Sequence, residues 1–279
     1  MNNFKKCFYI GAAALAITAC RNNDEAISTT EWATGDKGNV TLSFSNEYNN
    51  SPLALGDTGT TLTSSNGQKH RFNELKYVVS NVVLTDEKGN TYKYYYNDKS
   101  MKGAHIINQA DATTYNFKLS DIPAGNYTKI TFGLGLHKDI NELKEEDHPT
   151  FYATMGKIEM KWAWAKTYRF AKFEGQYGDN LDNDFSVHTG SIDIGKKDKP
   201  EEWKFTDAYR EISLDLGSTL KVRQSSANNI AIKADINQFL SGKNAIIFES
   251  GKNTSIHNLD QMPTFADAIA GMFSVKSVQ

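Results

Sequence analysis

Residues Ile130-Thr131-Phe132-Gly133-Leu134-Gly135-Leu136 alternate strictly between a large apolar side chain and a small or polar one. In an extended chain successive side chains point to opposite faces. This spacing therefore lays Ile130, Phe132, Leu134 and Leu136 against a core and puts Thr131, Gly133 and Gly135 on the other side. A helix would scatter the same four residues around its circumference, so the stretch reads as a strand. The rhythm recurs in both directions. Val40, Leu42 and Phe44 alternate with Thr41, Ser43 and Ser45, and the stretches 72–84, 92–96 and 115–119 are rich in Val or Tyr. Downstream, 160–173, 185–194, 203–205, 212–216 and 230–236 continue in the same style. Turn-forming clusters separate them: Glu87-Lys88-Gly89-Asn90, Pro123-Ala124-Gly125-Asn126 and Gly178-Asp179-Asn180. One helix is expected near the C-terminus, with Thr264 and Asp267 as a capping box and Phe265, Ile269 and Phe273 on one face. The expected fold is all-β: a single antiparallel β-sandwich with a short C-terminal helix and no internal repeat.

Composition limits the function classes. With 279 residues, 39% of them hydrophobic and 23% charged, the chain can build a real core, which excludes a polytopic membrane protein and a wholly disordered one. Lys and Arg number 31 against 33 Asp and Glu, so no basic surface for nucleic acid is indicated.

The first residues read as a targeting segment. Lys5 and Lys6 precede an apolar run over 8–19 that is too short to span a bilayer, and the run ends Ile17-Thr18-Ala19-Cys20. That ending resembles the lipobox of bacterial lipoproteins, which implies cleavage before Cys20 and acylation of its thiol. The expected organisation is a lipoprotein signal peptide over 1–19, a polar tether over 20–39 and one domain over 40–279. The expected location is the bacterial outer membrane, facing the periplasm or the outside. With Cys7 removed and Cys20 acylated, the domain keeps no free thiol, so any metal must be held by His, carboxylate, Met or a less common donor.

Enzyme signatures are absent: there is no phosphate-cradling Gly loop, no G-x-S-x-G elbow, no H-E-x-x-H and no C-x-x-C. The chain is read as a binding protein and not an enzyme. Asp179-Asn180-Leu181-Asp182-Asn183-Asp184 offers oxygens but lacks the Gly and distal Glu of an EF-hand loop, and reads as a solvated turn. The more informative stretch is Met160-Lys161-Trp162-Ala163-Trp164. As a strand it would stand Met160, Trp162 and Trp164 on one face, either as plain core or as part of a site.

Met160, Trp162, Trp164, Tyr168, Phe170, Lys172, Glu174 and Gly175 fall at the spacing M-x-W-x-W-x-x-x-Y-x-F-x-K-x-E-G. This resembles the signature of the MbnP-like family, periplasmic or lipid-anchored copper-binding proteins named after the methanobactin operon. Four further landmarks resemble the family in order. They are Leu75-Lys76-Tyr77-Val78-Val79-Ser80-Asn81-Val82, Ile122-Pro123-Ala124-Gly125-Asn126-Tyr127, Val187-His188-Thr189-Gly190-Ser191, and Ile256-His257 followed by the segment 265–273. The loop before the tryptophans departs from the family: Lys144-Glu145-Glu146-Asp147-His148-Pro149 stands where an acidic G-D-L element is usual.

The resemblance implies one copper ion, as Cu(I), held by two histidines and an oxidised tryptophan. His188 and His257 match the histidines, and Trp162 or Trp164 matches the tryptophan. It also implies a partner, a dihaem cytochrome c peroxidase-like protein of the MbnH type, that converts the indole to kynurenine. An indole is a poor σ-donor, whereas the aryl amine of kynurenine can coordinate, and two neutral imidazoles suit Cu(I). His70, His105, His137 and His148 match nothing in the family and read as ordinary residues. A surface module that binds glycan or protein through Tyr92, Tyr94, Tyr95 and Tyr96 is the alternative from another class.

Overall fold

A computed structural model describes residues 35–57, 59–194, 204–224, 226–256 and 258–279, with the side chains of residues 194 and 204 excepted. Cys20 and His257 lie outside the described residues.

Two sheets form the sandwich. The first contains β1 (Lys37–Tyr48), β2 (Ser51–Pro52), β7 (Asn116–Pro123), β14 (Ala227–Asp235) and β15 (Phe273–Val278), with β15, β14 and β1 side by side and β2 and β7 both paired to β1. The second contains β3 (Leu62–Thr63), β4 (Lys69–Asp86), β5 (Thr91–Lys93), β6 (His105–Asn108), β8 (Gly125–Leu134), β9 (Ala171–Tyr177), β10 (Asn183–Thr189) and β13 (Arg210–Val222). Its order is β10-β9-β4-β8-β13, and β3, β5 and β6 also pair with β4. A separate hairpin joins β11 (Ile192–Ile194) to β12 (Lys204–Thr206).

The central strand β4 serves two partners in turn, pairing with β9 over His70 to Tyr77 and with β8 from Val79 onward. Asn81 makes the change of direction at φ 52°, a left-handed conformation that Asn tolerates, and its side-chain oxygen accepts from the Asn97 N–H at 2.8 Å. Between the sheets, Val40, Leu42 and Phe44 of β1 and Ile230 and Ile232 of β14 meet Ile130, Phe132 and Leu134 of β8 in one apolar cluster. Burying each side chain of the size of Phe132 stabilises the fold by about 1.5–3 kcal/mol.

β8 ends at Leu134, and past the left-handed Gly135 the Leu136 side chain leaves the face it was expected to share with Ile130, Phe132 and Leu134. The other side of the stretch is covered as well. The Tyr209 ring lies on Gly133 and the Phe170 ring on Gly135, where a Cβ would stand 2.3 Å from Phe170 Cδ2. Small residues in the alternation thus mark close packing and not solvent. A second apolar cluster sits on this face, with Leu136, Met155, Met160, Trp162, Tyr168, Phe170, Ile192, Met262 and Ala266.

Several sequence expectations change. The pair β1–β14 is parallel in an otherwise antiparallel sandwich, because the two strands meet from opposite ends of the chain and need no hairpin between them. Two helices beyond the expected one are present, α1 (Pro149–Lys157) and α2 (Ile236–Ser241). Helix α3 (Met262–Ala270) is the expected helix, but Thr264 does not cap it: its N-cap is Gln261 with no side-chain cap bond, and Asp267 pairs with Arg210. Phe273 belongs to β15, where its ring meets Tyr77 and Phe132 at 5.4 Å. The expected strand over 160–173 begins only at Ala171. Its first ten residues fold back on themselves, with an isolated bridge between Lys161 and Tyr168 and the Arg169 N–H donating to the Met160 carbonyl at 2.8 Å.

His70 of β4 has no exposed surface and neither ring nitrogen has a partner, so burial holds its pKa at about 4. As pH falls below about 6.5 the unfolded chain takes up a proton that the folded chain refuses, which costs up to about 3 kcal/mol by pH 4. His105 and His188, also shifted down by burial, act in the same sense. Replacing His70 by Phe should therefore flatten the fall of stability between pH 6.5 and pH 4 in urea titrations. Equal slopes for the two proteins would refute this account.

Candidate metal centre

The site lies on the outer face of the second sheet. Register alignment sets Glu74 and Lys76 of β4 beside Glu174 and Lys172 of β9, and Lys172 beside His188 of β10. Alternation sends Leu75, Phe173 and Val187 the other way, into the core between the sheets. Three adjacent strands therefore present a polar face.

The charges on that face are paired. Lys172 Nζ contacts Glu74 Oε2 at 2.6 Å, Glu159 Oε2 at 2.9 Å and Glu174 Oε1 at 3.7 Å. Burial opposes charge on Lys172, but its hydrogen bonds to Glu74 and Glu159 outweigh this and raise its pKa. Lys76 pairs with Glu74 and donates to the Ile158 carbonyl at 2.9 Å. The hydrogen bond from His188, and then the field of Lys172, hold the Glu174 carboxyl at about 2.

His188 is 5% exposed. Its Nε2 lies 2.7 Å from Glu174 Oε1, and its Nδ1 is buried with no hydrogen-bond partner. Burial, reinforced by the positive charges of Arg169 and Lys172, outweighs the Glu174 bond and lowers its pKa, so the neutral imidazole prevails at pH 7.

The segment 156–169 roofs this face. Buried Asn141 fastens it, donating to the Ser191 carbonyl at 3.0 Å and accepting from the Tyr168 N–H at 3.1 Å. His148 supports the fastening from beside α1, with Nε2 2.7 Å from Tyr168 Oη and Nδ1 2.9 Å from the Lys99 carbonyl. Trp162 is 3% exposed, whereas Trp164 is 54% exposed. Their rings still meet at 5.2 Å, and the Trp162 ring lies 5.9 Å from that of His188. Arg169 places its guanidinium 4.6 Å from the Trp162 ring centre and donates to the Lys161 carbonyl at 2.8 Å. Trp162 Nε1, like His188 Nδ1, is buried without a partner. Both residues border a cleft of about 470 Å³ that Glu159, Lys161, Arg169 and Glu174 help to line.

The sequence-derived site residues thus separate. Trp162 and His188 come together, and Trp164 stands at the surface against Trp162. Met160 lies fully buried in the second apolar cluster and is not on a strand. Among the described residues no group of three or more His, Cys, Asp or Glu is placed to hold an ion. A metal here needs a donor beyond His188 and its neighbouring carboxylates. Three further residues belong to the site that residue type and spacing do not assign to it: Arg169, Glu174 and Gly190. The signal for Glu174 was its alternation with Phe173 and Gly175, which puts it on the Lys172 side of β9.

The other expectations resolve plainly. Residues 179–182 form the turn between β9 and β10, and Asn183 and Asp184 open β10. His105 stacks on Phe117 and bonds the Thr114 carbonyl, and His137 pairs with Asp139 at 3.1 Å. The tyrosines share no exposed face: Tyr94 is buried in the core, Tyr92 and Tyr96 are half-buried, and Tyr95 is exposed. Among the described residues no helix is long and apolar enough to cross a membrane.

Gly190 seats the buried indole. A Cβ there would stand 2.9 Å from Trp162 Nε1 and 3.0 Å from the Tyr168 carbonyl oxygen. Gly190→Ala should displace Trp162 and cost about 1–3 kcal/mol. In a variant with Trp32, Trp164 and Trp203 replaced by Phe, Trp162 emission should shift to the red on Gly190→Ala, and an unchanged spectrum and stability would contradict this packing.

The pattern that defines the MbnP family matches residues 37–258, a span that holds Trp162, Glu174, Gly190 and both His188 and His257. No curated protein matches the chain in sequence. Among solved structures the chain is similar to MbnP from Methylosinus trichosporium, with 13% identity and a TM-score of 0.45 over 74% of this chain and 78% of that one. On the family match over 37–258, the chain belongs to the MbnP family.

Proposed function

We propose that the protein is an extracytoplasmic, lipid-anchored copper-binding protein, with His188 and His257 as ligands and Trp162, oxidised to kynurenine, as the third donor. The observation that carries this reading is the pair of buried, unpartnered nitrogens, His188 Nδ1 and Trp162 Nε1, on rings 5.9 Å apart beside one cleft. Native proteins rarely leave buried polar atoms unpaired, and a bound ion is one physical reason for two such atoms to lie side by side at a cleft. A neutral imidazole is a suitable copper donor, and His188 is kept neutral by burial. His257 enters through its family match. The Ser186 N–H donates to the Thr254 carbonyl at 2.9 Å, which docks the chain three residues before position 257 onto β10, the strand of His188.

Burial also favours Trp162 over Trp164 as the modified residue, because only Trp162 is held against the His188 ring. Conversion of the indole to kynurenine breaks its C2–C3 bond, leaves a carbonyl oxygen on the retained carbon and releases the other carbon as formate on hydrolysis. The four electrons go to an external oxidant, dioxygen or a peroxide, used by the dihaem peroxidase-like partner of the MbnH type. Trp164 is exposed and its ring lies 5.2 Å from that of Trp162. Copper as Cu(I), anchoring through acylated Cys20 to the bacterial outer membrane and a role in copper acquisition or handling complete the proposal.

Two outcomes are expected. Protein with both His188 and His257 replaced by Ala should lose stoichiometric copper while its β-type circular dichroism is retained, and full copper occupancy in that variant would reject the site. In protein purified from its own host the peptide that contains Trp162 and Trp164 should be about 4 mass units heavier than its unmodified form, with the gain mapping to Trp162. Protein made without the partner should lack this gain and bind copper more weakly, and a gain on Trp164 instead would reject the choice of Trp162.

A further inference from the structure

We propose that Glu174 is a positioning residue: its carboxylate holds His188 as the tautomer with the proton on Nε2, leaving Nδ1 as the nitrogen that meets a metal ion. The inference rests on the copper-site reading, but its first test requires no copper.

An ionised carboxylate can only accept hydrogen bonds, so at 2.7 Å the His188 Nε2 must donate to Glu174 Oε1. The neutral ring then carries a lone pair on Nδ1, which is buried and has no partner. Turning the ring over would set a carbon against the carboxylate and forfeit this bond. Glu174 is itself held firmly. It lies on β9 diagonal to His188 on β10, in the register that pairs Lys172 with His188 and Glu174 with Ser186. Lys172 stands 3.7 Å away and also grips Glu74 and Glu159, so the carboxylate keeps its charge inside a half-closed site. Carboxylates that accept from the outer nitrogen of a ligand histidine fix its orientation and raise the basicity of the inner one.

Two variants separate orientation from charge. Glu174→Gln keeps an oxygen that can accept from Nε2 but removes the charge, whereas Glu174→Ala removes the acceptor. Long-range 1H–15N correlation spectra of the metal-free protein should show His188 protonated at Nε2 in the parent and in Glu174→Gln, and a mixture of tautomers in Glu174→Ala. On titration with Cu(I), the 15N shift of the parent should move at Nδ1. Copper affinity should fall about ten- to a hundredfold in Glu174→Ala. The Cu(II)/Cu(I) potential should rise in Glu174→Gln, because the inner nitrogen becomes the weaker base. A single unchanged tautomer in a folded Glu174→Ala, or a copper-induced shift at Nε2, would overturn the assignment. If Glu174→Ala does not fold, the parent and Glu174→Gln still decide between Nδ1 and Nε2. Should the parent show the Nε2–H tautomer yet bind no copper, the copper reading fails while the positioning by Glu174 stands.

Discussion

One buried ammonium organises the outer face of the second sheet. Lys172 Nζ gathers carboxylates from the neighbouring strand, from its own strand and from the segment after α1, namely Glu74, Glu174 and Glu159. Like charges crowded on three adjacent positions would repel, and charges taken out of water are costly unless compensated. Their common partner makes the arrangement tolerable. Removing Lys172, the buried member, typically costs about 3–5 kcal/mol because it strands the carboxylates, whereas the exposed Glu159 contributes little. His188 hangs from this network through Glu174, and the roof segment is tied to it through Glu159.

The roof itself is fixed by packing and not by regular structure. Residues 160–169 satisfy few of their backbone groups in a ladder, so side chains take over: Asn141 ties the segment to Ser191, and Arg169 collects the Lys161 carbonyl while covering the Trp162 ring. Where two backbones or a ring and a backbone must approach closely, a glycine stands. Gly135 lies under Phe170 at φ 94°, which only glycine adopts freely, and Gly190 lies under the Trp162 nitrogen. The second apolar cluster thereby serves as the foundation of the site, and it differs in kind from the core between the sheets.

Much of the fold was legible because period-two alternation is a local property. Val40, Leu42 and Phe44, or Ile130, Phe132 and Leu134, bury one face whichever strands lie beside them. The same rule failed at Met160, Trp162 and Trp164. Alternation there coincides with a folded-back loop, and whether a backbone pairs with a neighbouring strand or with itself is settled by contacts that local spacing does not encode. The capping box failed for a similar reason. Asp267 is drawn to Arg210, which arrives on β13 from 57 positions earlier.

By itself, then, the sequence determined the all-β class, most strand positions, the family landmarks and the residue types available as donors, because these depend on composition and short-range period. Only the tertiary structure decided that β1 and β14 run parallel, that Trp162 is buried while Trp164 is exposed, and that Glu174 rather than any nearer residue meets His188. Each of these depends on register between strands distant in the chain. A slip of one residue between β9 and β10 would leave Glu174 and His188 on opposite faces, and no local pattern records that choice.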